Sequence, residues 1–264
     1  MGSNNLLNGY ADVNGLKMYY EIHGQGKPLI LIHGGGSTIE TSFGRIIPAL
    51  AKNRQIIAVE LQAHGRTNDR NTDLSFEQDA DDISELLKQL RIPKADFLGF
   101  SNGAHTILSM TLRHPALLNK IILASTFFKR SGAIPNFWEG FDQVTLNQMP
   151  SILKEHFLQV NNNEAALENM FNKDVQRMKS FTDWSEKNIK DITAATLIIN
   201  STHDVGTPEH AVEMYRLIPN CELAIFPGGH GAYLGAIESL ENGNWPAFNA
   251  TNLIEEFLDK NQLP

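Results

Sequence analysis

A single cysteine, Cys221, stands in 264 residues, so no disulfide can form within the chain. A reducing, cytoplasmic setting is the simpler expectation. The same shortage rules out a thiolate metal cluster, and no His-Glu-x-x-His sequence takes its place, so we expect no metal. No apolar run is long enough to cross a bilayer. Met1-Gly2-Ser3-Asn4-Asn5-Leu6-Leu7 lacks the basic and then apolar layout of a secretory signal, and Leu6 stands where myristoylation needs Ser or Thr. Positive charge is also short. The 22 Lys and Arg against 30 Asp and Glu give a formal charge of −8, which disfavours nucleic acid and membrane as partners and leaves a small molecule open. Internal repeats, low-complexity tracts and a Gly-Lys-Ser/Thr phosphate loop are absent.

What is present is an alternation of apolar runs and helical patterns. Residues 9–23 read as two strands around Asn14-Gly15, a dipeptide suited to a tight hairpin. Residues 28–32, 56–59, 95–99, 120–124, 194–199 and 222–226 are mostly continuous apolar runs, as expected of strands covered on both faces. Between them, Phe43, Ile46, Ile47 and Leu50 predict a helix that Pro48 shortens or breaks. Ser75-Phe76-Glu77-Gln78 reads as a capping box ahead of the apolar face Ala80, Ile83, Leu86, Leu87 and Leu90. Ala104, Ile107, Leu108, Thr111 and Leu112 predict a buried helix over 102–113. Thr207-Pro208 caps a helix continued by Ala211, Met214, Tyr215 and Ile218, and Ile254, Phe257 and Leu258 mark a closing one. Strand, helix, strand in this order implies a parallel sheet with right-handed crossovers. Regularity lapses over 129–191, a stretch rich in Asn, Gln, Met and aromatics with a helical patch at Ile152, Leu153, His156 and Phe157. We expect a helical lid there, between core segments 1–128 and 192–264; a separate small helical domain is the other possibility.

The chemistry centres on Gly99-Phe100-Ser101-Asn102-Gly103, where a strand meets a helix. A sharp bend would expose the Ser101 hydroxyl above the helix N-terminus, and side chains at 99 or 103 would collide with its neighbours. Alone, the pattern could equally be a turn whose serine caps the helix. A serine needs a base, and a late histidine in a glycine-rich loop, His230, is the candidate. That imidazole needs a carboxylate, and Asp204 follows a strand where Asp191 and Glu238 do not. Asp204 could also be a turn residue ahead of Pro208, and His230 a surface histidine, one of nine in the chain.

With Leu31-Ile32-His33-Gly34-Gly35-Gly36, Glu60-Leu61-Gln62-Ala63-His64-Gly65-Arg66-Thr67, Thr202-His203-Asp204 and Pro227-Gly228-Gly229-His230-Gly231 placed around that bend, the chain resembles the α/β-hydrolase superfamily along nearly its whole length. The resemblance implies an α/β fold with a mostly parallel eight-stranded sheet flanked by helices, a lid, and no cofactor. It implies Ser101, Asp204 and His230 as a catalytic triad, the backbone N–H groups of Gly35 and Asn102 as an oxyanion hole, and His33 and His64 as structural histidines beside the turns. It also implies a lidded serine esterase acting on small, fairly apolar esters or related acyl compounds. Phe127, Phe128, Phe137, Trp138 and Phe141 near the lid hinge suit such a substrate, or simply pack the lid. Serine at the bend argues against the dehalogenase and epoxide hydrolase branches, which resemble this chain but place aspartate there. Gly36-Ser37 stands where proline iminopeptidases carry Pro-Gly. Hydrolases of carbon–carbon bonds in ring-cleavage products commonly carry a proline after the glycine run that is missing here, yet this activity remains an alternative. So does a hydrolase-fold receptor without turnover.

Overall fold

The structure is a computed structural model and describes residues 6–240, 244–246 and 249–260. Its first strands, β1 (Leu7–Val13) and β2 (Leu16–His23), pair antiparallel around Asn14-Gly15, both at positive φ as a tight hairpin requires. β1 begins two residues earlier than the alternation predicts. Six parallel strands follow: β3 (Lys27–Ile32), β4 (Arg54–Val59), β5 (Ala95–Phe100), β6 (Leu118–Ala124), β7 (Ala195–His203) and β8 (Cys221–Gly229). They form one eight-stranded sheet in the order β1-β2-β4-β3-β5-β6-β7-β8, mostly parallel, as the sequence implied.

The continuous apolar runs have their expected cause. Ile30, Ile32, Ile57, Val59, Phe97, Ile121 and Leu123 pack against α3 (Phe76–Gln89), α4 (Asn102–Arg113) and α9 (Pro208–Leu217) on one face. Their sequence neighbours Leu29, Leu31, Ile56, Ala58, Leu98, Phe100 and Ile122 pack on the other, against α1 (Ile39–Phe43), α2 (Ile47–Leu50) and α10 (Thr251–Asp259). Pro48 lies in the first turn of α2, where its missing N–H costs nothing, so the expected broken helix is two short ones. The Ser75 box closes only halfway. Its hydroxyl accepts from Gln78 N, but the Gln78 amide turns to Asp82 instead of back to the cap. Leu112, expected in a buried helix, is exposed at 45%. Thr207 caps α9 as read, accepting from His210 N.

Between β6 and β7 lie α5 (Phe137–Gln143), α6 (Ser151–Asn161), α7 (Glu164–Lys179) and α8 (Glu186–Lys190). Part of this segment, Met149, Leu153, Phe157, Leu167 and Met170, packs with Ala63 in an apolar cluster separate from those on the two faces of the sheet. Because β3, β5, β6, β7 and β8 are mutually parallel, the turns after all five open at one edge of the sheet.

Candidate active site

Ser101 holds the bend between β5 and α4 at φ 54 and ψ −119. This region is sparsely populated for a side-chain-bearing residue and costs on the order of 1–3 kcal/mol, so the surroundings must impose it. They do. A Cβ on Gly99 would lie 2.3 Å from Gly103 O, and one on Gly103 would lie 2.0 Å from Ile32 O, so strand, bend and helix pack at backbone contact. Ser101 N donates to Ala124 O at 2.8 Å, while Ala104 N and His105 N donate to Ser101 O.

The carboxylate of Asp204 is buried in the turn after β7 and accepts four hydrogen bonds. Oδ1 takes His230 Nδ1 at 2.6 Å and Val205 N at 2.8 Å; Oδ2 takes Ser125 Oγ at 2.6 Å and Ser201 N at 3.0 Å. Burial alone would raise this carboxyl, but the bond to His230, its charge and the Ser125 hydroxyl hold it below the usual carboxylate range. Burial likewise opposes the charged form of His230, and the Asp204 carboxylate outweighs it and lifts the imidazole above its ordinary value. A carboxylate against Nδ1 fixes the proton on that nitrogen and leaves Nε2 as the basic one. The ring lies on Phe100, the residue before the bend, with 4.6 Å between centroids. Among the described residues no hydrogen bond links the Ser101 hydroxyl to that imidazole. Structures without substrate often leave this contact open.

Ser101 faces a cavity of about 300 Å³ together with Gly35, Gly36 and Asn102. His230 borders a second recess with Glu238 and Trp245. Neither Gly35 N nor Asn102 N has an acceptor among the described residues, so two backbone donors beside the serine are uncommitted. The rest of the wall is largely apolar and is supplied mostly by residues 129–191, Phe141, Leu153, Met170 and Met178 among them. Of the hinge aromatics, Phe127, Phe137 and Phe141 reach this wall. Phe128 instead stacks on His210 at 4.8 Å, and Trp138 turns its Nε1 to Arg130 O. His105, one turn beyond the serine, also lines the cavity; burial drives it down to about 3, so its ring is neutral.

Two contributors had no local signal in the sequence. Ser125, at φ 55 after β6, anchors Asp204 and lies 2.7 Å from the Tyr233 hydroxyl. Among the described residues, Asp174 on α7 is the one carboxylate on the cavity wall, and no lysine or arginine shares that wall. Among the described residues no group of three or more His, Cys, Asp or Glu could hold a metal ion, and no helix is long and apolar enough to cross a membrane.

A family model described as the alpha/beta hydrolase fold matches residues 27–173, more than half of the chain. The pyrrolizixenacetamide deacetylase of Xenorhabdus hominickii is 28% identical over 115 residues, 44% of this chain and 43% of that protein. The 2-hydroxymuconate semialdehyde hydrolase of Pseudomonas sp. (strain CF600) is 30% identical over 134 residues, 49% of this chain and 46% of that one. These matches thus span less than half the length of the curated relatives. Among solved structures, the 2-hydroxy-6-oxo-6-phenylhexa-2,4-dienoate hydrolase from Rhodococcus sp. strain RHA1 aligns over 98% of this chain and 100% of its own, with a TM-score of 0.79 at 16% identity, a likeness of fold.

Proposed function

The chain belongs to the alpha/beta hydrolase family, and from that premise we propose that it is a serine hydrolase of small, neutral carboxylic esters or related acyl compounds, working through an acyl-enzyme. The observation that carries this reading is the hydrogen-bonded Asp204–His230 pair, whose imidazole lies on Phe100, the residue before a bend serine that opens onto an apolar cavity. Ser101 Oγ attacks the acyl carbon as His230 Nε2 takes its proton, and Asp204 offsets the charge that forms on the ring. The developing oxyanion lies between Gly35 N and Asn102 N, each such donor contributing about 3 kcal/mol. His230 then protonates the leaving alcohol, and a water activated by the same imidazole hydrolyses the acyl-enzyme. Residues 129–191 act as the lid over this cavity, excluding bulk water.

The wall favours an uncharged substrate, because among the described residues no lysine or arginine lines it to pair with an anionic group, and the Asp174 carboxylate is already paired with His64 and Arg177. That observation ranks the carbon–carbon hydrolase second. The dienoic acid named for one relative, the 2-hydroxy-6-oxo-6-(2'-aminophenyl)hexa-2,4-dienoic acid hydrolase of Metapseudomonas resinovorans, carries a carboxylate. A panel of p-nitrophenyl esters, lactones and dienone acids, run with Ser101→Ala alongside, tests both readings. Ester turnover lost in the variant supports the proposal. Turnover of dienone acids alone would transfer the assignment to the carbon–carbon reaction, and no turnover at all would favour a ligand receptor.

A further inference from the structure

The turn that carries Gly35 is held from the lid side. Its own strand and neighbours fix Gly34: His33 Nδ1 donates to Gly34 O at 2.7 Å, and Gly34 N reaches Ser42 Oγ at 3.4 Å. Gly36, at φ 67, is fixed by a residue 138 positions away, donating its N–H to Asp174 Oδ2 at 2.6 Å. Gly35 is gripped between the two sides. A Cβ there would lie 2.5 Å from Asn102 Nδ2 and 3.1 Å from Asp174 Oδ2.

Building on the serine-hydrolase reading, we propose that Asp174 is a positioning residue for the oxyanion hole: its carboxylate, carried on α7, fixes the Gly34–Gly36 turn so that Gly35 N–H stays aimed into the cavity. The hole is then complete only while α7 is seated, which couples the lid to the chemistry. A bare carboxylate beside an oxyanion site would oppose the charge that forms there, at a cost that burial enlarges. This one is flanked by two cations. His64 Nε2 lies 2.8 Å from Asp174 Oδ2, while His64 Nδ1 lies 2.8 Å from Gln62 O, which can only accept. Both ring nitrogens therefore carry protons, and His64 is an imidazolium, consistent with the upward shift that Asp174 imposes against the opposing effect of burial. Arg177 pairs with the second Asp174 oxygen, and its other arm reaches the buried Asp79 at 2.9 Å. Asp174 thus offers an acceptor to Gly36 without leaving a net negative charge beside the hole.

A purely structural anchor for α7 would lower stability in a variant and leave turnover per folded molecule alone, which separates the two roles. In Asp174→Asn we expect kcat on p-nitrophenyl butyrate to fall about tenfold to a hundredfold, a fraction of the loss from deleting a donor outright, with KM changed less than about threefold. Affinity for an alkylboronic acid, which imitates the tetrahedral adduct, falls with kcat. The Gly36 amide proton, downfield in the wild type because of its short bond to a carboxylate, moves upfield. Unchanged kcat with a lowered Tm overturns the proposal, as does an unmoved Gly36 resonance. If Asp174→Asn fails to fold, Asp174→Glu, which keeps the charge and displaces it, is read in the same way. Should the wild type hydrolyse no ester, the functional reading falls; the Gly36 resonance still decides whether Asp174 holds the turn.

Discussion

Replacing Asp204 by Asn removes one charge and almost no volume, so its consequences follow from the four donors around the carboxylate. An amide offers one acceptor oxygen where two now serve His230 and Val205 on one side and Ser125 and Ser201 on the other. Either orientation turns an NH₂ toward a backbone N–H, of Val205 or of Ser201, and leaves that buried donor unpaired at a cost of about 1–3 kcal/mol in stability. If the NH₂ faces His230, the ring changes tautomer and presents a protonated Nε2 to the serine, which ends its use as a base. If the oxygen faces it, the tautomer survives but nothing offsets the imidazolium. Both routes reduce kcat by about 10⁴-fold, or about 5 kcal/mol of barrier. The pH dependence carries a second signature. In the wild type kcat/KM rises as His230 loses its proton, with a midpoint above the ordinary histidine value because Asp204 stabilises the charged form. Removing the carboxylate moves that midpoint down. Initial rates of p-nitrophenyl butyrate hydrolysis from pH 5 to 9, with urea melts on both proteins, measure all three effects. Turnover within tenfold of wild type, with an unmoved midpoint, would refute the role given to Asp204.

Gly103→Ala, whose methyl would meet Ile32 O at 2.0 Å, should separate the bend from β3 and yield insoluble or inactive protein; a soluble variant with wild-type turnover would show that the elbow tolerates a looser fit. His33 and His105 are both driven down to about 3 by burial, so as pH falls below the unfolded value of 6.5 the unfolded chain binds the protons first. Each neutral ring should therefore cost about 2 kcal/mol of stability between pH 7 and pH 5, and an acid limb in urea melts that is no shallower in His105→Phe would contradict that assignment.

The features that were legible in the sequence are those written in neighbouring residues. The Ser101 bend is spelled by glycines two positions to either side, and Asp204 and His230 each follow an apolar strand within a few residues, so local patterning singled out all three as candidates. Gly35 and Asn102 entered only as what the resemblance implies for the bend and for the turn after β3. Asp174 could not be found in this way. On α7 it forms an i,i+3 pair with Arg177, which in sequence is an ordinary solvated helix face, and its other partners, Gly36 and His64, lie 138 and 110 positions away. Ser125 was hidden for the same reason, its role being set by Asp204 across a strand pair. The exposed Leu112 shows the reverse error, in which helical periodicity marked a side chain for the core that stays 45% exposed.

The proposed chemistry makes the strained serine at the sheet edge a nucleophile driven by His230. Incubation with a fluorophosphonate, followed by peptide mass mapping of wild type, Ser101→Ala and His230→Ala, tests it most directly. One adduct is expected, on the peptide containing Ser101, absent from the first variant and strongly slowed in the second. An unmodified Ser101 in folded wild-type protein, or labelling that proceeds equally without His230, would contradict it.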